Sequence, residues 1–147
     1  MAPLDHDLVA FAASALSAIP ANDGDHTVTA AARTSSGVAF AGANVFHFTG
    51  GPCAELVALG AAAAQGVLAK DITTMVAVRR DEGRIRVLNP CGRCRQVLLD
   101  YNPDMNVIFL DETGAQRMVP VRGLLPFAYV YGDGPDGQDT LREVAAA

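Results

Sequence analysis

Two stretches decide how this chain is read: Thr49-Gly50-Gly51-Pro52-Cys53-Ala54-Glu55-Leu56 and Pro90-Cys91-Gly92-Arg93-Cys94. In each, a proline directly precedes a cysteine where an apolar run begins, which is a helix-start signal with proline near the first helical position. The first run predicts a helix from Cys53 to about Gln65, Ala-rich and buried. The second predicts a helix through Leu99 that stops before Asn102-Pro103, since the residue before a proline is driven out of the helical region.

Working outward, Asp5 is placed to cap a helix running to about Ile19, with Leu8, Phe11, Ala12, Ala15, Leu16 and Ile19 at helical spacing and Pro20 ending it. Thr27–Arg33 and Val38–Asn44 read as strands, and Ser35-Ser36-Gly37 between them is short enough for a hairpin. Ile72–Arg79 is a third strand, Asp81-Glu82-Gly83 a turn, and Arg84–Leu88 a fourth strand or the far arm of a hairpin. Val107–Leu110 and Arg117–Val121 are joined by too short a link for parallel pairing, so they are antiparallel. Gly123-Leu124-Leu125-Pro126 forms a brief helical turn. The tail from Gly132 is expected to be loose, with a frayed helix at 140–146. The order of elements is that of one layered α/β domain over residues 1–131, with helices covering a mixed sheet.

With 147 residues, half of them hydrophobic, the chain suits a single core. Eleven Lys and Arg against sixteen Asp and Glu leave a net charge of −5, which argues against a polyanion-binding surface and so against nucleic acid. Asp5, His6 and Asp7 stand where a signal peptide would need basic residues, and no apolar run reaches the ~20 residues of a membrane helix. A cytoplasmic protein without a membrane partner is expected. Three cysteines cannot all pair within one chain, so in such a protein they point to metal or to a reactive thiol.

Three thiolates leave one tetrahedral position open on Zn²⁺, the arrangement of a catalytic rather than a structural site. Helix N-termini favour the thiolate form at Cys53, Cys91 and Cys94. Glu55, two residues past a ligand and in the same helical turn, faces the open position without ligating and is the expected proton carrier. Zinc with three thiolates carries net −1, and Arg93, with Arg95 after it, is expected to offset that charge by donating to sulfur. Taken alone, Cys91-Gly92-Arg93-Cys94 also fits a redox dithiol, His47 could complete a four-ligand structural site, and Glu55 could be an ordinary first-turn acid. The joint pattern favours catalysis.

At Asn44-Val45-Phe46-His47-Phe48-Thr49-Gly50-Gly51-Pro52-Cys53-Ala54-Glu55-Leu56 and at Pro90-Cys91-Gly92-Arg93-Cys94-Arg95-Gln96-Val97-Leu98-Leu99-Asp100 the sequence resembles the cytidine deaminase superfamily, its blasticidin S-type branch in particular. The resemblance implies a three-layer α/β/α fold around a five-stranded mixed sheet, a homotetramer, and attack of zinc-activated water on C4 of a cytosine nucleoside with release of ammonia. It implies substrate contacts at Asn44, Ala54 and Tyr129, with Tyr131 at a further aromatic position. Phe46 stands where cytidine deaminases carry a ribose-binding glutamate, and Ala30 where the blasticidin-type enzymes carry a serine. Arg84 or Arg86 corresponds to the arginine that receives a substrate carboxylate in that branch. Three functions follow: deamination of a blasticidin S-like cytosine nucleoside, with antibiotic resistance as its use; cytidine or deoxycytidine salvage; and a catalytically silent zinc-binding module.

Overall fold

The computed structural model describes residues 3–131. In chain order it has α1 (His6–Ser17), β1 (Val28–Thr34), β2 (Ala39–Ala43), α2 (Ala54–Ala64), β3 (Ile72–Asp81), β4 (Arg84–Leu88), α3 (Gly92–Tyr101), β5 (Asn106–Leu110) and β6 (Gln116–Pro120), with single 3-10 turns at Ala69–Asp71 and Val121–Leu124. Asp5 caps α1, its Oδ1 accepting the Leu8 N–H at 2.9 Å, while its Oδ2 pairs with Arg33 Nε on β1 at 2.7 Å. The other end of α1 is held by Arg80 of β3, which donates to the Leu16 and Ile19 carbonyls at 2.8 and 2.7 Å.

The strands run in the order β2-β1-β3-β5-β6. Only β3 and β5 are parallel, and the remaining pairs are antiparallel. The expected five-stranded sheet is thus present as a continuous path, but the sheet has a sixth strand, because β4 folds back as a hairpin on the far half of β3. β5 therefore pairs with β3 at Thr74 and Met75 alone before β4 takes over that edge at Ala77. The fork between β4 and β5 opens directly before Cys91.

Side-chain alternation along the strands divides the core into two faces. Ala30, Ala32, Met75, Ala77 and Val107 pack with α2 and α3. Ala31, Val76, Val78, Val87 and Ile108 pack with Leu8, Ala12 and Leu16 of α1. This makes three layers: α1, the sheet, and α2 with α3. Phe11, expected on the buried stripe of α1, is 41% exposed instead. The alanines of β1 are small enough to bring α2 close, and Gly42 on β2 completes the approach, since a Cβ there would collide with the backbone of Val57 and Ala58. Close seating of α2 fixes where its first residues stand. Among the described residues no helix is long and apolar enough to cross a membrane. The expected loose tail and its short helix lie outside the described residues.

Candidate metal centre and active site

Both sequence motifs do begin helices, and the cysteine is the cap in each: Cys53 for α2 and Cys91 for α3. The Cys91 sulfur accepts the Cys94 N–H at 3.5 Å, and Cys94 follows one turn into α3, fully buried. The three sulfurs all lie within 4.8 Å of one another, and the Cys53 and Cys91 sulfurs are 3.8 Å apart. Two thiolates on a tetrahedral zinc, each at about 2.3 Å, stand about 3.8 Å apart, so the group fits that ion. The thiols also need a cation if all three are to ionise. Burial pushes Cys53 and Cys94 up, Cys94 further through the negative charge of Glu55. At Cys91 burial is outweighed by the Cys94 N–H and the neighbouring thiols, and its value falls. His47 does not join: it is exposed, stacks on Phe48 and bonds the Thr49 hydroxyl.

Glu55 lies in the first turn of α2 and is only 5% exposed. Its Oε2 accepts the Cys94 thiol at 3.4 Å. Desolvation raises its carboxyl above the usual range, against the pull of its own backbone N–H and the thiol. A buried acid with a raised value beside a metal group is suited to exchanging protons.

The loop that delivers Cys53 is tightly folded. Val45 N–H donates to the Pro52 carbonyl at 3.2 Å and Phe46 N–H to the Asp25 carbonyl at 3.1 Å. Gly51 is required there, because a Cβ would overlap the Val45 carbonyl. Among the described residues the two arginines, expected to donate to sulfur, have backbone carbonyls as their hydrogen-bond partners. Arg93 donates to the Gly51 carbonyl at 3.3 Å, bridging the two cysteine segments. Arg95 donates to the Pro90 carbonyl at 2.9 Å and the Leu124 carbonyl at 3.0 Å. The guanidinium planes thus satisfy backbone carbonyls at the turns, and the Cys91 sulfur receives a helix N–H.

Ala54 is buried directly beside the sulfurs at the start of α2. Asn44 stands at the end of β2, where its Oδ1 accepts the N–H groups of Thr27 and Val28 at 2.8 and 2.9 Å and its Nδ2 donates to the Asp25 carbonyl at 3.2 Å. One amide hydrogen is left for another partner. Ala30 is buried against the α2 face and offers no hydroxyl. Arg84 and Arg86 share one face of β4, the face on which Leu88 packs toward α2 and α3. Arg86 is engaged by Asp81 at 3.0 Å, whereas Arg84 forms no ion pair among the described residues. Tyr129 is 73% exposed, and its carbonyl accepts Gln96 of α3 at 3.0 Å. Phe46, Phe48, Phe127 and Tyr131 are likewise exposed. Away from the sulfurs, a groove of about 780 Å³ lies between α2 and α3, lined by Leu56, Leu59, Leu68, Val97 and Tyr101.

Residues 4–110 match the family described as the cytidine and deoxycytidylate deaminase zinc-binding region. A blasticidin-S deaminase from Bacillus cereus is 35% identical over 114 residues, covering 73% of this chain and 79% of that protein. The crystal structure of a cytidine deaminase from Burkholderia pseudomallei superposes with a TM-score of 0.70 at 29% identity, covering 86% of this chain and 100% of the other. A cytidine deaminase from Mycobacterium tuberculosis gives 0.66 at 27% identity, covering 88% and 100%.

Proposed function

We propose a substrate and a division of labour for the site of a chain that belongs to the cytidine and deoxycytidylate deaminase family. It is a zinc-dependent aminohydrolase. Cys53, Cys91 and Cys94 would hold the ion, which would supply Lewis-acid activation of water. Glu55 would carry the two protons of the attacking water in turn, one to the ring nitrogen and one to the departing amine, so that cytosine and water become uracil and ammonia. The observation that carries this reading is the buried Glu55 carboxyl, 3.4 Å from one sulfur of a three-sulfur group. A silent zinc module would have no use for a desolvated acid in that place.

The substrate we assign is a blasticidin S-like cytosine nucleoside. Support comes from the Bacillus cereus relative, from Phe46 in place of a ribose-binding acid, and from a cationic strand face on β4. Arg84, with no ion-pair partner among the described residues, is the better placed of the two arginines to receive a carboxylate. Asn44 contributes its remaining amide hydrogen, Ala54 the start of α2, and Tyr129 an aromatic wall. Resistance to such an antibiotic is the corresponding biological use. The exposed aromatic rim and the apolar α2–α3 groove support burial between copies, in line with a homotetramer, and three cysteines kept as thiolates suit the reducing cytoplasm. Cytidine or deoxycytidine salvage is the second reading, favoured by the cytidine deaminases among the structural neighbours.

Loss of the exocyclic amine changes cytosine absorbance, so a panel of cytidine, deoxycytidine and blasticidin S, run with zinc analysis on the same sample, separates the readings. Turnover of blasticidin S alone is expected. Turnover of the plain nucleosides would transfer the assignment to salvage, and zinc-replete protein inert toward all three would overturn the enzyme reading.

A further inference from the structure

The fork in the sheet has a device at its apex. β4 and β5 both pair with the same edge of β3 and have no ladder to each other. Where they part, the carboxamide of Asn89 supplies the missing rung: its Oδ1 accepts the Leu110 N–H at 2.7 Å and its Nδ2 donates to the Leu110 carbonyl at 2.9 Å. A primary amide used in this two-point way imitates one strand residue facing another. Pro90 follows, confining Asn89 to extended backbone, and Cys91 comes next. Behind the turn, Arg95 holds the Pro90 carbonyl at 2.9 Å.

We infer that Asn89 is a positioning residue for the metal centre, fixing the Cys91 sulfur opposite Cys53 by pinning the end of β4 to the end of β5. This rests on the three-cysteine zinc site proposed above. The reason lies in leverage. Cys94 is buried in the first turn of α3 and Cys53 is held by a loop closed through Val45 and Pro52, but Cys91 is exposed and sits on the three-residue span between strand and helix. Without the Leu110 rung that span is tied on the strand side only by the pairing of Leu88 with Ala77. The two hydrogen bonds also sit on an exposed side chain, so their loss bears on the local turn more than on the core.

The test uses Asn89→Ala and Asn89→Asp in the full chain, with Arg122→Ala as a stability control, since Arg122 makes a surface ion pair with Asp104 at 2.7 Å. Zinc affinity is measured by chelator competition, and the cobalt-substituted proteins are compared by their thiolate and ligand-field bands, which report coordination geometry. Asn89→Ala is expected to weaken zinc binding about tenfold and to shift the cobalt bands. Asn89→Asp keeps the acceptor for the Leu110 N–H but sets an oxygen against its carbonyl, and is expected to fall between. Arg122→Ala should leave affinity and spectrum unchanged. Wild-type affinity and spectrum in Asn89→Ala, or a loss matched by Arg122→Ala at equal melting temperature, would overturn the inference. Failure of the wild-type chain itself to bind one zinc would instead overturn the site on which it rests.

Discussion

Replacing Glu55 by Gln isolates the proton-carrying role from everything else the side chain does. The variant keeps the shape, and its amide oxygen still faces the Cys94 thiol, now 3.4 Å from Glu55 Oε2. It removes the ability to accept and return a proton in a place too buried for bulk water to substitute, the residue being 5% exposed. General acid–base catalysis by one positioned group is worth about 10²–10⁴-fold. Because the proposed mechanism uses this carboxyl in more than one transfer, a loss in kcat near the upper end is expected, about 5 kcal/mol of transition-state stabilisation. Zinc content should be unchanged, as Glu55 is outside the three-sulfur group. The metal-free protein gives an independent reading. Burial raises the Glu55 value, so the folded state holds this proton more tightly than the unfolded one. Its contribution to stability is full below the ordinary glutamate range and is lost as pH rises through the folded value. Glu55→Gln should remove that alkaline decline. The assay is absorbance-based turnover beside pH-dependent melting after chelation. Turnover within tenfold of wild type, at full zinc occupancy, would refute the proton-carrier assignment.

Two further outcomes follow from the surroundings of the site. Gly51→Ala drives a Cβ into the Val45 carbonyl and must open a loop closed by the Val45–Pro52 and Arg93–Gly51 hydrogen bonds; at roughly 1 kcal/mol each the loss is about 2 kcal/mol, read as a lower melting temperature together with weaker zinc retention. Asp111 lies in the β5–β6 turn, its carboxyl held well below the usual range chiefly by the Thr113 hydroxyl and then by Arg117. A depressed value means stability that is present above the ordinary aspartate range and lost as pH falls, so Asp111→Asn should flatten the acid limb of a melting profile while leaving zinc content untouched.

Periodicity and punctuation made most of the fold legible. The observed limits of α1, α2 and α3 differ from expectation by a few residues at most, because Asp5, Cys53 and Cys91 mark their starts and Pro20 and Asn102-Pro103 their ends. The strands of the β1–β2 hairpin and of β5–β6 were equally plain from alternation and short links. What stayed hidden depends on approach between distant parts of the chain. That β4 displaces β5 from the edge of β3 follows from pairing, to which a strand's own residues are indifferent. Likewise an arginine between two cysteine ligands reads as a thiolate partner until the Gly51 carbonyl, 42 residues earlier, is seen within its reach. Asn44 offers the same lesson: its amide is needed first to hold the Thr27 and Val28 backbone.

The observed arginine contacts bear on how the excess negative charge of three zinc-bound thiolates would be balanced. No guanidinium donates to a sulfur among the described residues, and the Cys91 sulfur accepts the N–H of Cys94 at the start of α3. Both capping cysteines stand at helix N-termini, each carrying roughly half a positive charge. With zinc bound, the compensation would come from backbone dipoles, which are fixed by the fold and indifferent to pH. Arginines 93 and 95 act on geometry, tying Gly51, Pro90 and Leu124 around the centre. A site charged by its backbone and aligned by its side chains keeps its electrostatics when one arginine is lost, while its ligand spacing suffers. Positions that brace the cysteine turns are accordingly where substitutions should separate metal affinity from proton transfer.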